Sequence, residues 1–277
     1  MKTVSSFSDL RAARLSLKGT VGLVPTMGYL HEGHLSLIRQ AKAECEHVAV
    51  SIFVNPTQFG PSEDLSKYPR DLERDLNLIR PLGVDLVWTP TAEEMYPPGY
   101  QTWVEVDALT HPLEGAVRPG HFKGVTTIVA KLFNALQPHK AYFGQKDAQQ
   151  HTVIRQMVRD LNFPLEIVIC PIIREADGLA MSSRNKYLNE SNRKAATVLF
   201  RALTAAKQLY ETGERSAEAL REKMKEVIES EPLAQMQYVS CADFDTLQEL
   251  EAVKGKALLS MAVLFGKTRL IDNFILG

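Results

Sequence analysis

Two histidines stand three positions apart where a predicted strand gives way to a predicted helix, in the sequence HEGH at residues 31–34. Residues 21–25 before them form an apolar run typical of a strand buried on both faces, and Leu35 and Ile38 after them have helical spacing. The first turn of a helix leaves backbone N–H groups unpaired, and the helix dipole favours negative charge there. This strand, turn and helix start therefore predict an anion site, with both histidines on one face.

A plain structural role is the main alternative for these histidines. A single histidine near a helix start is more often a cap or a solvated surface residue than a catalyst. The spacing also differs from that of the zinc motif HExxH, whose two ligands lie on successive turns of one helix. The anion-site interpretation therefore depends on the other polar residues that the fold places nearby.

Composition narrows the class of protein. The chain has 277 residues, a length that suits one large or two modest domains. Hydrophobic residues make up 45% of the chain, an ordinary fraction for a globular core. The formal net charge of -1 gives no global basic field, so we expect no nucleic-acid partner. No apolar run approaches ~18 residues and the N-terminus lacks a signal-peptide core, so we expect no membrane partner. The three cysteines are far apart and form no CxxC pair, which fits a reducing, cytoplasmic compartment.

Apolar strands alternate with amphipathic helices as far as residue 173. Helices are predicted after the capping pattern at Ser6, from the HEGH turn, from Pro69, and at residues 125–136 and 148–161. Strands are predicted at residues 21–25, 47–54, 84–88, 141–143 and 165–170, with a possible strand at 102–106 and a polar loop up to Tyr68. This alternation predicts an α/β fold in which helices wrap a parallel sheet.

The character of the sequence changes after residue 173. A polar loop at residues 174–185 has a basic tip and a composition typical of a flexible segment. Two charged helices and three alternating, antiparallel strands are predicted after it, at residues 190–212, 217–230, 237–242, 257–264 and 269–275. We therefore predict domains at residues 1–173 and 174–277, the second a smaller α+β lid domain whose first loop acts as a hinge or lid.

Distinctive polar residues follow three of the predicted strands. The HEGH turn follows the first, Asn55 and Gln58 follow the second, and Lys146 and Asp147 follow the strand at residues 141–143. Parallel sheets bind ligands at the carboxyl ends of their strands, so this clustering is stronger evidence for a site than any one motif. Lys146 could place a charge on a phosphate or simply be a surface lysine, and Asp147 could be a helix N-cap.

The polar loop offers a second set of phosphate ligands. Ser182, Ser183 and Arg184 supply hydroxyls and a guanidinium fork, although a polar interdomain linker would have the same composition. The sequence has neither a GxGxxG motif nor a Walker A motif, so a bound nucleotide would have to use the HEGH helix.

Five motifs resemble the pantothenate synthetase family, also called the pantoate–β-alanine ligase family. They are VPTMGYLHEGH, FVNPTQF, RPGHFKGV, YFGQKDAQQ and DGLAMSSRN, in this order and spacing. The HEGH turn is also similar to the HxGH signature of the wider nucleotidylyltransferase superfamily. The resemblance covers the first predicted domain and the start of the second, and it implies that the parallel sheet is Rossmann-like.

The resemblance also implies an activity, which is the ATP-dependent condensation of (R)-pantoate with β-alanine in the coenzyme A pathway. The expected intermediate is pantoyl adenylate, and the expected products are pantothenate, AMP and pyrophosphate. Mg²⁺ would accompany the ATP, with no protein ligand assigned to the metal. A homodimer formed through the N-terminal domain is expected.

The resemblance assigns roles to matching residues of this sequence. The ATP-binding set comprises Met27, Gly28, Tyr29, Leu30, His31, Glu32, Gly33, His34, Gly144, Gln145, Lys146, Asp147, Ile173, Met181, Ser182, Ser183 and Arg184. Within this set, His31, His34, Lys146 and Arg184 would be catalytic. Gln58 and Gln150 would bind pantoate, with Asn55 nearby for β-alanine or pantoate.

The residue types agree with this chemistry, because neither adenylation nor amide formation needs a protein nucleophile. Both steps need alignment and positive charge on the phosphates. Two alternatives remain open. A different nucleotidylyltransferase, acting on a phosphorylated acceptor, would favour basic residues over the amides Gln58 and Gln150, and a regulatory nucleotide-binding module would bind ATP without turnover.

Overall fold

The predicted parallel sheet is present in the computed structural model, with six strands in the order β1-β4-β3-β2-β5-β6. The strands are β1 (Lys2–Val4), β2 (Val21–Thr26), β3 (His47–Ile52), β4 (Leu86–Trp88), β5 (Lys140–Gly144) and β6 (Glu166–Cys170). β2 lies inside the sheet between β3 and β5, and five of its six residues are buried. This burial explains the unbroken apolar run in the sequence, and the predicted α/β class is confirmed.

Helices pack on both faces of this sheet. They are α1 (Phe7–Ser16), α2 (Glu32–Glu44), α3 (Leu72–Ile79), α4 (Ala92–Met95), α5 (Glu114–Val117), α6 (His121–Leu136) and α7 (Ala148–Asp160). Neighbouring residues of β2 point to opposite faces, so that Leu23 packs in one apolar cluster with α1 and α6, and Val24 in another with α2 and α3. The carboxyl ends of β2, β3 and β5 consequently lie side by side at one edge of the sheet.

The structure describes residues 1–60 and 65–277, and these residues divide into two compact units. The N-terminal unit comprises Met1–Gly144 and Val153–Pro171, and the C-terminal unit comprises Gln145–Thr152 and Ile172–Gly277. The short segment after β5 therefore groups with the C-terminal unit. Residues 61–64 of the predicted polar loop lie outside the described residues.

The C-terminal unit contains an antiparallel sheet of three strands in the order β7-β8-β9. Its further elements are α8 (Glu190–Ala195), α9 (Val198–Glu211), α10 (Ala217–Glu229), β7 (Ala234–Asp243), β8 (Ala257–Phe265) and β9 (Thr268–Leu276). Buried residues of α9 and α10 pack with Cys241, Leu259 and Met261 from the sheet in a single apolar cluster. The prediction of a smaller α+β part at the C-terminus is confirmed.

Two predicted elements are wrong for identifiable reasons. The helix predicted from Pro69 begins only at Leu72, because the Asp71 side chain caps it by accepting the N–H of Arg74. The strand predicted at residues 102–106 is absent. Its central residue, Val104, instead exchanges hydrogen bonds with threonine side chains of α6.

Two other features of the secondary structure differ from the prediction. The helix predicted at residues 190–212 is two helices, α8 and α9, which meet at Ala196 and Thr197. The edge strand β1 has only three residues, too few for a periodic signal, and it was not predicted.

Candidate active site

The HEGH turn caps α2 through its own two histidines. His31 is the N-cap residue, and its Nδ1 accepts the backbone N–H of Gly33 at 3.2 Å. The Nδ1 atom of His34 accepts the backbone N–H of His31 at 3.3 Å. The two imidazole rings lie 4.1 Å apart between centroids. The structural alternative and the functional interpretation are therefore compatible, because the same side chains form the cap and occupy the predicted anion site.

These caps determine which ring nitrogen of each histidine carries the proton. An Nδ1 atom that accepts a hydrogen bond has an available lone pair, so the proton of the neutral imidazole resides on Nε2. Both rings then have an Nε2–H donor beside the N-terminus of α2, where the helix dipole favours an anion. The turn can thus donate hydrogen bonds to phosphate from two side chains without either ring being charged.

Gly33 is required by the cap itself. A Cβ atom at this position would lie 2.9 Å from Cε1 and 3.0 Å from Nδ1 of His31, closer than side chains normally approach. The absence of a side chain lets the His31 ring fold back over the first helical turn. The resemblance places Gly33 among the ATP-binding residues, and the cap gives a separate structural reason for a glycine at this position.

The turn that precedes the histidines is held by a buried carboxylate. Gly28 and Tyr29 have φ angles of 81° and 51°, in the left-handed region. The N–H groups of Tyr29 and Leu30 donate to the two carboxylate oxygens of Asp75, at 2.7 Å and 2.8 Å. Asp75 is 1% exposed. Its neighbour Arg74 donates to the carbonyl of Leu30 at 2.9 Å and lies 4.8 Å from the centre of the Tyr29 ring.

Burial raises the pKa of the Asp75 carboxyl group, and the two backbone hydrogen bonds and Arg74 oppose this shift. Asp75 is not among the predicted site residues, although the sequence contains a signal for it. Leu72, Leu76 and Ile79 form the apolar stripe of α3, and Asp75 falls within that stripe at helical spacing. A carboxylate on the buried face of a helix requires a buried partner, which here is the backbone of the active-site turn.

Asn55 is completely buried, and its side-chain amide uses its full hydrogen-bonding capacity. The Oδ1 atom accepts from the Tyr96 hydroxyl at 2.8 Å and from the Thr57 hydroxyl at 3.0 Å. The Nδ2 atom donates to Oε1 of Gln58 and to the carbonyl of Gly124, both at 3.1 Å. Two acceptor positions and two donor hydrogens are thus all engaged within the N-terminal unit.

Gln58 is held at both ends of its amide. Its Oε1 accepts from Asn55, and its Nε2 lies 3.2 Å from the sulfur of Met27, a residue of the predicted ATP set. The backbone carbonyl of Gln58 lies 2.8 Å from Nδ1 of the buried His121. Gln58 is 8% exposed, so its position is fixed by packing and by polar contacts together.

The RPGHFKGV motif supports this amide cluster from α6. A Cβ atom at Gly124 would lie 2.4 Å from the carbonyl oxygen of Thr57, so only glycine permits the close approach of the two segments. Burial raises the pKa of Tyr96 to about 12, which keeps its hydroxyl protonated and able to donate to Asn55 at neutral pH.

The predicted ligands at residues 145–147 are in the C-terminal unit. Asn273 of β9 donates to the backbone carbonyls of Gln145 and Lys146, at 3.1 Å and 2.9 Å. Its Oδ1 accepts from Nε2 of Gln145 at 3.2 Å. The Nζ atom of Lys146 lies 3.6 Å from a carboxylate oxygen of Asp147. Gln150, in the first turn of α7, is half-buried.

The segment predicted as a flexible loop has defined contacts at both of its ends. Arg174 and Ala180 form an antiparallel bridge, and the N–H of Met181 donates to the carbonyl of Ile173 at 2.9 Å. The hydroxyl of Ser182 caps a short 3₁₀ helix by accepting the N–H of Arg184 at 3.2 Å. Within the same segment, Glu175 and Asp177 form ion pairs with Arg193.

The predicted site residues thus fall into two groups. Met27 to His34, Asn55, Gln58 and Gly144 lie in the N-terminal unit, where Met27 contacts Gln58. Gln145 to Asp147, Gln150, Ile173 and Met181 to Arg184 lie in the C-terminal unit. Within residues 1–60 and 65–277, no group of three or more His, Cys, Asp or Glu side chains is arranged to hold a metal ion. No helix in this part of the chain is long and apolar enough to span a membrane.

Comparison with known sequences identifies close relatives. The family described as pantoate-beta-alanine ligase matches residues 1–275 of this chain. A pantothenate synthetase from Roseiflexus sp. (strain RS-1) is 62% identical over 276 residues, which cover 100% of this chain and 99% of that protein. A pantothenate synthetase from Herpetosiphon aurantiacus is 60% identical over 277 residues, which cover 100% of both.

Solved structures give the same result. The crystal structure of pantothenate synthetase from Thermus thermophilus matches with a TM-score of 0.95 and 49% identity, covering 99% of each chain. The crystal structure of pantoate-beta-alanine ligase from Francisella tularensis, complexed with beta-gamma ATP and beta-alanine, matches with a TM-score of 0.82 and 36% identity. That match covers 99% of this chain and 97% of the other.

Proposed function

This chain belongs to the pantoate–β-alanine ligase family and condenses pantoate with β-alanine in an ATP-dependent reaction, and we propose that the reaction proceeds through pantoyl adenylate. In the first step, a carboxylate oxygen of pantoate attacks the α-phosphorus of ATP, and the bond to the β-phosphate breaks to release pyrophosphate. In the second step, the amine of β-alanine attacks the acyl carbon and AMP leaves. Family membership disfavours the two alternatives, a different nucleotidylyltransferase and a module without turnover.

The observation that supports adenylation best is the geometry of the HEGH turn. His31 and His34 each have an Nε2–H donor at the positive end of α2, and charge on the phosphates increases as the bond to pyrophosphate breaks. We assign these two histidines to the phosphates of ATP. Lys146 and Arg184 would add positive charge, and the other predicted ATP ligands would hold the nucleotide.

The amides Gln58 and Gln150 are the proposed pantoate ligands. An amide can donate to a carboxylate and accept from a hydroxyl, and pantoate has both groups. An arginine would bind the carboxylate more tightly in the ground state and would reduce its nucleophilicity. The buried neutral cluster around Gln58 fits this requirement, because Asn55 and the sulfur of Met27 hold the amide without adding charge.

Mg²⁺ is proposed to enter the site with the triphosphate. Mg²⁺ that accompanies a nucleotide typically keeps several waters and binds substrate phosphate oxygens, and we assign it no protein ligand. The chemistry that Mg²⁺ would supply is neutralisation of phosphate charge. Chelation should abolish pyrophosphate release, and added Mg²⁺ should restore it.

The remaining proposals concern assembly and location. The homodimer through the N-terminal unit that the resemblance implies is kept as a proposal, on the strength of family membership. Cytoplasmic location is supported by the free thiols of Cys45, Cys170 and Cys241, all buried.

We also propose a domain boundary after residue 173 and a lid role for residues 174–277. Sedimentation velocity tests the dimer, and hydrogen exchange with and without ATP tests the lid.

Product analysis tests the proposed mechanism directly. With ATP, Mg²⁺ and pantoate, the protein should exchange labelled pyrophosphate into ATP, and it should release AMP once β-alanine is added. Omitting pantoate is the matched control and should abolish exchange. Stoichiometric ADP and orthophosphate would overturn the adenylate mechanism, because they would mean attack at the γ-phosphorus.

A further inference from the structure

Two adjacent residues of β9, Asp272 and Asn273, contact both of the C-terminal segments that contain predicted ATP ligands. Both residues are 2% exposed, and neither lies in one of the five family motifs. Side chains of neighbouring strand residues point to opposite faces of a sheet. One strand can therefore hold a different segment on each side.

Asn273 holds the segment that follows β5. Its Nδ2 group donates to two successive backbone carbonyls, those of Gln145 and Lys146, and its Oδ1 accepts from the Gln145 side chain. These three hydrogen bonds between one buried amide and residues 145 and 146 fix the backbone from which the Lys146 side chain extends. An asparagine is suited to this role, because it has two donor hydrogens and an acceptor in one short side chain.

Asp272 holds the base of the segment that ends in Met181 and Arg184. Its carboxylate forms a bidentate ion pair with Arg174, with N–O distances of 2.6 Å and 2.9 Å. Arg174 also donates to the carbonyl of Gly178 at 3.0 Å. The guanidinium group lies 4.8 Å and 5.2 Å from the centres of the Phe200 and Phe274 rings, so it is enclosed as well as paired.

We propose that Asn273 is a positioning residue for ATP, acting through Lys146, and that the adjacent Asp272–Arg174 pair anchors the second ATP-binding segment to the same strand. The proposal rests on the proposed function, because that function assigns Lys146 and Arg184 to ATP. In this proposal, β9 sets the relative positions of these two segments within the C-terminal unit. Neither residue of the pair contacts ATP in this proposal.

Substitution of Asn273 tests the proposal. Asn273→Ala should raise the KM for ATP by about 10- to 100-fold, as expected for the loss of two or three buried hydrogen bonds. The KM for pantoate should change much less. Asn273→Asp should be at least as impaired, because a carboxylate can only accept and would face two carbonyl oxygens. The matched control is Ser240→Ala, since Ser240 is 1% exposed and its hydroxyl has no partner among the described residues.

A double-mutant cycle distinguishes positioning from a general structural role. If Asn273 acts through Lys146, Asn273→Ala should have little further effect on the KM for ATP in a Lys146→Ala background. Additive losses, or an unchanged KM for ATP in Asn273→Ala, would overturn the proposal. Asn273→Ser, which keeps one donor, replaces the alanine variant if that variant melts far below the wild type.

Direct measurement of ATP binding separates this inference from the proposed function. Calorimetric titration with ATP and Mg²⁺ reports the positioning effect even if the wild type gives no pyrophosphate exchange. Absence of exchange in the wild type would overturn the proposed function alone. Equal ATP affinity of the wild type and Asn273→Ala would overturn the inference alone.

Discussion

The side chain of Asn55 donates a hydrogen bond to Oε1 of Gln58 across 3.1 Å, and this contact determines the orientation of the Gln58 amide. With Oε1 engaged, the N–H₂ end lies on the side of Met27, whose sulfur is a weak acceptor. Gln58 therefore presents a donor group whose direction is set by a residue with no remaining hydrogen-bonding capacity. From this relationship we infer a positioning role for Asn55, beside the place near β-alanine or pantoate that the resemblance implies.

We predict that Asn55 affects pantoate use through Gln58. Asn55→Asp keeps the shape of the side chain but removes both donors, so Oε1 of Gln58 and the carbonyl of Gly124 lose their partners. The expected loss in kcat/KM for pantoate is on the order of 1–3 kcal/mol. The KM for β-alanine should change little in steady-state assays with each substrate varied. An effect on β-alanine alone would indicate direct contact instead.

The charge at position 58 should matter more than its shape. Gln58→Ala should weaken pantoate use by about 1–3 kcal/mol, because hydrogen bonds are lost and partners are left unpaired. Gln58→Glu should be worse, since an anion would face the pantoate carboxylate in a site of low effective dielectric. The KM for ATP serves as the internal control and should hardly change. A Gln58→Glu variant that uses pantoate normally would show that Gln58 is not a pantoate ligand.

His34 offers a way to separate the cap from the chemistry. His34→Ala removes both the Nδ1 acceptor and the Nε2–H donor, whereas His34→Asn keeps an acceptor near the position of Nδ1. Both variants should slow adenylation by about 10²–10³, the effect of losing one transition-state donor. Only His34→Ala should also lower the free energy of unfolding. Near-normal pyrophosphate exchange by His34→Asn would mean that His34 is a cap and not a phosphate ligand.

Gly33 should tolerate no side chain. Gly33→Ala places a Cβ 2.9 Å from the His31 ring, so the ring must leave its cap position. We expect pyrophosphate exchange to fall by about 10-fold or more, with a stability loss of about 1 kcal/mol from the lost cap. Gly255→Ala is the matched control, because a Cβ there meets no atom within 4 Å. Equal exchange rates in the two variants would contradict the proposed importance of the His31 cap.

Much of the fold could be predicted from the sequence, because its strands are buried on both faces and give unbroken apolar runs. The strands β2, β3 and β4 are of this kind, and the helices between them have clear apolar stripes. The sequence could not reveal where a backbone hydrogen bond finds a side-chain partner. Val104 is the clearest example, since threonines of α6 satisfy its backbone in place of a neighbouring strand.

The candidate site likewise has some features that the sequence predicts and others that it does not. The motif residues could be located from the sequence, because their types match phosphate and amide chemistry. The partners of Asp75 and Asn273 could not be identified from the sequence, because each side chain contacts the backbone of a segment distant in sequence, at separations of 45 and 128 residues. A carboxylate or amide in a single helix or strand has no local pattern that identifies such a partner. Of these two residues, only Asp75 has a sequence signal, which is its position within the apolar stripe of α3.

Asp75 should control the shape of the active-site turn with little net effect on stability. Asp75→Asn leaves an N–H₂ group facing one of the two N–H donors of Tyr29 and Leu30, which should distort the turn. The substitution also removes a buried negative charge, and with it the cost of desolvating that charge. This gain in stability offsets the lost hydrogen bond. We expect pyrophosphate exchange to fall by about 10- to 100-fold while the free energy of unfolding changes by less than about 2 kcal/mol.

The pH dependence of wild-type exchange gives a second measure of the same carboxylate. Because burial raises the pKa of Asp75, its protonation begins at a higher pH than for an ordinary aspartate, and the exchange rate should fall as the pH decreases through that raised pKa. The folded state binds this proton more tightly than the unfolded state, so the contribution of Asp75 to stability becomes more favourable over the same decrease in pH. Activity and stability should therefore change in opposite directions there. Asp75→Asn should lack this acid limb, whereas the exposed-residue control Glu73→Gln should retain it. An unchanged acid limb in Asp75→Asn would assign the titration to another group.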